Sequence, residues 1–271
     1  MLDIMNNAKN AIEAYNQALE AHSANIANMS VTGYKSVEVS FQSIYEKLIN
    51  AGTAASGNMG GTNPMQFGQG MSVSATTVNF SQGDFTEGSS SDLGINGQGL
   101  FIVSADGGTT YQYTRAGNFE IDSLGNLTSN GFQVYGLDSS GNLTAISNLP
   151  SGTKTDYNWL EDGTLEYSSD SGTTYTGTGY RIALTYFSNP GGLAQTQGTC
   201  FAATSASGVA ADPSAPGGAV GTIKPGYVEN SNVFYLGETI DAQEIQRAMS
   251  GNLTILTMAS DMISTFISKI S

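Results

Sequence analysis

The sequence has few of the side chains that usually form catalytic or metal-binding sites. Its 271 residues include one cysteine, Cys200, and one histidine, His22. A single cysteine excludes an internal disulfide and a cysteine-based zinc cluster, and it is expected to be a buried small apolar residue. His22 lies among apolar positions of a predicted helix, where packing or a hydrogen bond is expected rather than base catalysis. We therefore expect a protein that is not an enzyme, with no catalytic residue, cofactor or metal.

Charge is also scarce, and it is mostly negative. Charged residues make up 12% of the chain, its net charge is −14, and its nine basic residues are scattered singly. Without a basic patch, nucleic acid and anionic membranes are poor candidate partners. Residues 1–9 lack the pattern of a secretory signal peptide, and no apolar run approaches membrane-spanning length. Taken alone, these absences predict a cytoplasmic protein without membrane insertion.

The C-terminal stretch, Thr239 to Ile270, has the heptad spacing of a helix that packs along another helix. Its apolar positions alternate in steps of four and three, and one amide, Asn252, interrupts them and could set the register between helices. Asp241 and Glu244 are placed as a possible pair of N-terminal capping residues. The predicted apolar seam of this helix consists of Ile245, Met249, Leu256, Ala259, Ile263, Phe266 and Ile270.

The N-terminal stretch repeats the same spacing, and it predicts a helix from about Asp3 to about Asn28. Gly33 follows the helix, where a positive φ is tolerated. The two termini are expected to pair as a coiled-coil domain formed by residues 1–35 and 237–271. The predicted seam of the N-terminal helix consists of Met5, Ala8, Ile12, Tyr15, Leu19, His22 and Ile26.

The outer face of the C-terminal helix carries small uncharged polar residues instead of the Lys and Glu of a solvated coiled coil. Such groups permit close approach of further helices at a low desolvation cost. The pattern indicates packing against copies of the same chain, with an ordinary intramolecular helical hairpin as the alternative. The face consists of Gln243, Gln246, Ser250, Thr254, Thr257, Ser260, Ser264 and Ser268.

Between the helices the chain is rich in Gly and Ser and has features of β structure, which predicts an α+β fold. Residues 36–92 are expected to form an extended connection, with a helical segment from Phe41 to about Ile49, an irregular stretch up to Gly70 and a strand start after it. Residues 93–236 predict a β-rich outer part of hairpins and small sheets or a barrel, with 138–180 as a possible subdomain.

Two acidic turns with similar sequences begin at Asp122 and Asp138. An EF-hand loop needs several alternating oxygen ligands before its glycine, and these turns supply one, so plain hairpin turns are favoured over calcium sites. The glycine-rich stretch Gly94 to Gly99 opens a strand and not a helix, which argues against a phosphate-binding loop.

Four segments of the chain have distinctive sequences. They are Ala24–Lys35, with Asn25, Asn28, Gly33, Tyr34 and Lys35; Leu93–Val103; Tyr113–Asp122, with Arg115; and Gly226–Val233, with Asn232, followed by Gln246 and Arg247. In this order they resemble the motifs of the bacterial flagellar hook and basal-body rod protein family, and the resemblance spans nearly the whole chain.

The resemblance implies a structural axial subunit that polymerises helically into a hollow tube, with the terminal helices inside and the β-rich part outside. It also implies export without a cleaved signal through the flagellar type III apparatus. The implied partners are copies of the chain and the adjoining rod, hook-cap and junction proteins.

The sequence favours the hook over the distal rod, because Gly61-Thr-Asn-Pro64 and Thr185–Leu193 look more hook-like. A hook must let subunits slide as the tube bends, whereas a rod must resist bending. The alternative from another class is a trimeric adhesin-like or phage-tail-like β protein, which would form closed oligomers instead of tubes. An enzyme is the third candidate.

Overall fold

The computed structural model describes residues 2–44, 46–54, 57, 60–68, 70–150 and 155–270. Two long helices lie at the ends of the chain, α1 (Leu2–Ala27) and α2 (Tyr235–Ile270). The predicted terminal helices are therefore confirmed, and α2 begins four residues earlier than expected. Asp241 and Glu244 consequently lie inside α2 and are not capping residues, and Glu238 occupies the first turn instead. A carboxylate there stabilises the positive end of the helix dipole.

Among the described residues between the helices there are twenty strands, which confirms a β-rich middle. They are β1 (Val37–Ser43), β2 (Glu46–Asn50), β3 (Met65–Gly68), β4 (Met71–Val78), β5 (Phe85–Glu87), β6 (Leu93–Asn96), β7 (Leu100–Ser104), β8 (Gln112–Thr114), β9 (Glu120–Ile121), β10 (Leu127–Ser129), β11 (Phe132–Leu137), β12 (Leu143–Ala145), β13 (Asp156–Trp159), β14 (Thr164–Ser168), β15 (Thr176–Ile182), β16 (Leu184–Thr185), β17 (Ala194–Gln195), β18 (Cys200–Ala202), β19 (Thr222–Pro225) and β20 (Tyr227–Glu229). A short 3₁₀ turn covers Pro190–Gly192.

The expected helix from Phe41 to Ile49 is wrong, because the described residues of this stretch, apart from Ile44, lie in β1 and β2. Val37, Val39 and Phe41 recur every second residue, and β-branched and aromatic residues favour strands. The expected irregular stretch before Gly70 also contains regular structure. Strand β3 pairs antiparallel with β2, and a bridge joins Thr53 to Thr62. Part of this stretch lies outside the described residues.

The chain divides into two compact units. The first unit comprises Met1–Ile26, Val37–Thr77 and Phe234–Ser271, and so contains both helices and the strands that follow α1. In it, the Tyr15 and Phe41 rings meet edge to face with centroids 6.1 Å apart, and Asn7 Nδ2 donates to the Gly68 carbonyl at 3.3 Å. Strand pairs β1–β4 and β2–β3 form its small sheets.

The second unit comprises Ala27–Ser36 and Val78–Val233 and contains a twelve-stranded sheet. Its central path runs β13-β14-β15-β11-β7-β8-β18-β17, and none of the sheets closes into a barrel within the described ranges. The expectation of sheets is thus confirmed, and a barrel is not formed there. Two further antiparallel pairs, β5–β20 and β6–β19, bring the strands before and after the large sheet together.

The residues of β7 alternate between two apolar clusters, as the period of a strand requires. Phe101 and Val103 belong to one cluster, with Trp159 and Leu184, while Leu100 belongs to the other. Cys200 lies buried in the first cluster, which confirms its predicted packing role. Burial raises the pKa of its thiol to about 11, so the unreactive protonated form prevails at neutral pH.

Candidate functional site

The most sheltered face of α1 is lined mainly by small residues. Ala8 belongs both to this face and to the predicted seam, and beyond Ala8 the face is rotated by about one position from the seam. The heptad pattern had selected Ile12, Leu19 and Ile26, which are half-buried, as is Tyr15. Alanine has no side chain beyond Cβ and lets backbones approach closely, so the alanines lie deepest. The buried residues of α1 are Ala8, Ala11, Ala14, Ala18 and Asn25.

On α2 the predicted seam coincides with the sheltered face for most of its length. Ile245 and Ala259 are buried, and Met249, Asn252, Leu256 and Ile263 are half-buried. Asn252 Nδ2 donates to the Ala248 carbonyl of its own helix at 3.0 Å. Phe266 and Ile270, at the end of the seam, are 65% and 70% exposed.

A second face of α2 is apolar and exposed over about three turns. Met258, Met262 and Phe266 are all more than half exposed, and Ile255 is 45% exposed. These four residues lie within about 80° of one another around a helix of 3.6 residues per turn. A run of large apolar residues on one face of a helix usually marks an interaction surface. We call Ile255, Met258, Met262 and Phe266 the α2 apolar face.

By length and composition α2 could also cross a membrane. This finding differs from the sequence expectation that no apolar run reaches that length. A single such helix is weak evidence for a span, because packing helices of soluble proteins have the same composition. The row of polar residues from Gln243 to Ser268 runs along the exposed side of α2, whereas a helix surrounded by lipid is apolar on all sides.

Hydrogen bonds join the end of α1 to the start of α2 within the first unit. His22 Nδ1 donates to Glu238 Oε2 at 2.6 Å, and Asn25 Nδ2 donates to Glu238 Oε1 at 3.1 Å. Asn25 also exchanges two hydrogen bonds with the Val37 backbone, at 2.9 and 3.0 Å. The prediction that His22 is hydrogen-bonded and that the Asn25 amide binds backbone and a neighbouring helix is therefore confirmed. Asn28, one turn later, is half-buried.

In the second unit, three of the sequence segments meet at a buried ion cluster. Glu229 Oε1 accepts Lys35 Nζ at 2.6 Å, and Glu229 Oε2 accepts Arg115 Nη1 at 3.0 Å. The Gly83 amide also donates to Oε1 at 2.9 Å, and Lys35 Nζ donates to the Ser81 carbonyl at 2.7 Å. Burial lowers the pKa of Lys35 and of Arg115, and the Glu229 carboxylate opposes that effect. We call Lys35, Arg115 and Glu229 the buried ion cluster.

Gly33 and Asn232 position the chain around this cluster. Gly33 has φ +70°, as predicted, and a Cβ there would lie 2.4 Å from the Ala116 amide nitrogen. Its own amide donates to the Glu229 carbonyl at 2.7 Å, next to buried Tyr34. Asn232 accepts from the Ser36 amide at 2.8 Å and donates to the Asn79 carbonyl at 2.8 Å. Glycine is needed at residue 33 both for its backbone angle and for this close approach.

Glu229 and Glu238 are structural partners of the predicted residues that the sequence patterns do not indicate. Glu229 is the acidic residue of the segment Gly226–Val233, so the presence of Lys35 and Arg115 in the other segments was the available signal. Gln246 and Arg247, which were predicted from the resemblance, lie on the exposed side of α2. The described residues hold no group of three or more His, Cys, Asp or Glu side chains placed to bind a metal.

The acidic turns are held by their own amides, as the prediction of hairpin turns requires. Asp122 Oδ1 accepts from the Leu124 and Asn126 amides, and Asp138 Oδ1 accepts from the Ser140 and Asn142 amides, all at 2.8 to 2.9 Å. These bonds lower the pKa of both carboxyl groups. The carboxylates therefore stabilise the turns directly.

Comparisons with known proteins agree with these motifs. Residues 5–35 match the family described as "Flagella basal body rod protein", and residues 94–185 match "Flagellar hook protein FlgE/F/G D1 domain". The chain is 29% identical over 266 residues to the flagellar basal-body rod protein FlgG of Bacillus subtilis (strain 168), covering 97% of each chain. It is 28% identical over 262 residues to FlgG of Buchnera aphidicola subsp. Baizongia pistaciae (strain Bp), covering 94% of this chain and 95% of that protein.

Similarity to hook proteins is higher but more local. The chain is 40% identical over 126 residues to the flagellar hook protein FlgE of Helicobacter mustelae. That match covers 45% of this chain and 28% of the hook protein, so the chain spans little more than a quarter of that relative. The family matches and the end-to-end similarity lead to one conclusion: the chain belongs to the flagellar hook and basal-body rod protein family, whose members are structural proteins and not enzymes.

Proposed function

We propose that this structural axial subunit of the flagellum is a rod protein, which polymerises helically into a stiff hollow tube. The observation that carries the proposal is the end-to-end similarity to rod proteins, over 97% of this chain and 97% of the relative. The matched hook protein is several times longer than the aligned segment, which covers 28% of it. Similarity to a rod protein from end to end, with only local similarity to a hook protein, fits a rod better than a hook.

The exposed apolar surface of α2 supports polymerisation. Met258 and Met262 are 58% and 52% exposed, next to the still more exposed Phe266. Removing contiguous apolar surface of this kind from water stabilises an assembly by about 25 cal/mol for each Å² buried. We propose that neighbouring copies cover the α2 apolar face. The small polar residues on the other side of α2 permit a further close contact there.

The predicted seam residues would form the inner layer of the tube. In this arrangement Ile12, Tyr15, Leu19 and Ile26 of α1 pack against α2 of the same or a neighbouring chain. Their partners would be Ile245, Met249, Leu256, Ile263 and Phe266, with the Asn252 amide at the centre of the seam. Half-burial of most of these residues in one chain leaves surface available for a second chain.

The hook, which the sequence alone favoured, is the second candidate. The 40% identity to a hook protein over 126 residues favours it, because this identity exceeds the 29% found with the rod protein. The two candidates differ in mechanics, since a hook bends as its subunits slide and a rod resists bending. A rod subunit would act in the periplasm, and a hook subunit outside the cell. Either would be exported without a cleaved signal and would contact adjoining axial proteins.

Electron microscopy of the purified protein, concentrated until it assembles, tests the proposal. A rod subunit should form straight hollow tubes of indefinite length. Curved or supercoiled tubes would favour the hook instead. Discrete trimers at high concentration would contradict both candidates and would favour the adhesin-like or phage-tail-like alternative.

A further inference from the structure

A pocket of about 370 Å³ opens in the second unit beside the buried ion cluster. Phe80, Leu100, Phe187 and Pro190 form its apolar wall, and Arg115 also lines it. A volume of this size accommodates a protein side chain together with the residues adjacent to it in its chain, or a small ligand. An apolar wall next to a cation suits a group that is apolar along its stem and negative at its end.

The charges around the pocket are unbalanced. Two cations, Lys35 and Arg115, share one carboxylate, that of Glu229, and the three side chains are between 0% and 4% exposed. Burying a charge without an opposite partner is costly, so a net positive charge at this depth favours a further anion. Desolvation lowers the pKa of both cations, which agrees with incomplete compensation by a single carboxylate.

Arg115 also has an unused donor. Its Nη1 reaches Glu229 and the Ile95 carbonyl, and its Nη2 donates to the Gly97 carbonyl at 2.6 Å. Its Nε is buried and has no acceptor among the described residues, although the residue as a whole is 3% exposed. A buried N–H without an acceptor is unfavourable, and an acceptor bound beside the guanidinium would reduce that cost.

We propose that this pocket binds an acidic side chain of a second copy of the chain, whose carboxylate lies near Arg115 and whose stem packs on the apolar wall. Charge complementarity identifies the occupant, because the chain carries 23 acidic and 9 basic residues and so presents carboxylates on its surface. The identification of a second copy as the source of the carboxylate rests on the proposed assembly into a polymer. The affinity of the pocket for a carboxylate is independent of that assembly.

The affinity is tested on the unpolymerised protein with 4-methylpentanoate as probe and the neutral 4-methylpentanamide as control. The Nε–H resonance of Arg115 should shift saturably with the acid and not with the amide. Ser188→Trp, at an exposed pocket-lining residue, should abolish the shift by filling the pocket. Ser140→Trp, the same change at an exposed turn outside the pocket, should preserve it. The proposal is overturned if the acid produces no shift, or if the amide produces an equal one.

The identity of the occupant is tested by assembly. Ser188→Trp should raise the critical concentration for polymerisation about tenfold, the equivalent of about 1.4 kcal/mol, while circular dichroism shows an unchanged fold. An unchanged critical concentration would overturn the second copy as occupant, even if the probe binds. If no tubes form under any condition, the rod proposal fails. The pocket proposal is then tested by sedimentation equilibrium. The unmodified protein should self-associate weakly, and Ser188→Trp should abolish this self-association. If the unmodified protein does not self-associate, the pocket proposal is overturned.

Discussion

At the scale of single residues, the buried ion cluster determines how three distant segments of the second unit come together. Lys35 follows α1, Arg115 follows β8, and Glu229 ends β20. The Glu229 carboxylate accepts two cationic donors and the Gly83 amide, so its oxygens are well satisfied. Hydrogen bonds with ionised partners are about twice as strong as neutral ones, and removing one partner leaves the others buried without compensation.

Replacing Glu229 with Gln should therefore be strongly destabilising. Glutamine keeps the shape of the side chain and removes the negative charge that Lys35 and Arg115 share. We expect a loss of about 3–5 kcal/mol in the free energy of unfolding, measured by urea denaturation. The exposed change Glu120→Gln should cost less than about 0.5 kcal/mol.

A second variant separates charge from packing at this site. Adding Lys35→Met to Glu229→Gln removes one of the two uncompensated cations, so the double variant should recover part of the lost stability. A loss below about 1 kcal/mol for Glu229→Gln, or no recovery in the double variant, would show that the cluster is not held together by charge.

The sequence predicts the segments that form this cluster but not the residue at which they meet. The segments that contain Lys35, Arg115 and Asn232 are recognisable from the amino-acid sequence, and the structure brings them together. Their meeting at Glu229 is not readable from spacing, because Lys35 and Arg115 lie 194 and 114 positions away from Glu229 in the sequence. Gly33 was predictable for its positive φ, whereas its close approach to Ala116 was not.

At the scale of elements, two loops of the large sheet have the same sequence pattern and the same hydrogen bonds. Ser104–Thr110 and Ser168–Thr174 both read Ser-x-Asp-x-Gly-Thr-Thr. In each, the Ser hydroxyl donates to the Asp carboxylate, and two following amides donate to the same Oδ1 at 2.9 and 3.1 Å. The last Thr hydroxyl donates to Oδ2 in both loops. The aspartate therefore organises the whole loop.

These bonds predict how acid affects the two loops. Hydrogen bonds from Thr110 and Ser104 hold the pKa of Asp106 well below its usual range, and bonds from Ser168 and Thr174 do the same for Asp170. A depressed folded pKa stabilises the protein above the unfolded value of about 3.9, and the contribution is lost as pH falls below it. The double change Asp106→Asn and Asp170→Asn should therefore lower the urea midpoint at pH 7.

In acid, the difference in urea midpoint between this double variant and the unmodified protein should become smaller. From about pH 4 downward these carboxyl groups take up protons in the unfolded chain before they do so in the folded one, so the gap in urea midpoint should narrow towards pH 2. The exposed change Glu161→Gln serves as the control, with little effect expected at pH 7. A gap that stays constant from pH 7 to pH 2 would mean that the loops depend on side-chain shape rather than on ionised carboxylates.

Elements were predicted well where one pattern dominated the sequence and poorly where two patterns competed. The continuous apolar run of β7 after its glycine turn and the heptads of α2 each left one interpretation, and the structure has a strand and a helix there. In α1, large residues such as Ile12 and Leu19 dominate the pattern, while alanines occupy the closest contact. In β1, the alternation of Val37 and Val39 indicates a strand, and it competes with the pattern that predicts a helix from Phe41 onward. Packing partners decide such cases, and a single sequence does not contain them.

At the scale of the whole molecule, the helical surfaces proposed for assembly and the single tryptophan lie in different compact units. The predicted seam and the α2 apolar face lie in the first unit, whereas Trp159 lies buried in the core of the second. Trp159 is the one tryptophan of the chain, and its Nε1 donates to the Ser91 carbonyl at 2.8 Å. Its fluorescence therefore reports on the fold of the second unit alone.

Replacing Ile263 with Asp should abolish tube formation and leave the second unit folded. Ile263 is half-buried on the sheltered face of α2, and a carboxylate placed in an apolar seam between chains costs several kcal/mol. Assembly is measured by electron microscopy and sedimentation, and the fold by Trp159 emission. Ile263→Leu, which keeps the seam apolar, should still form tubes. If the Asp variant still formed tubes, we would conclude that Ile263 does not lie in the interface between chains. A polymer joined through that seam does not tolerate a buried unpaired charge in every subunit.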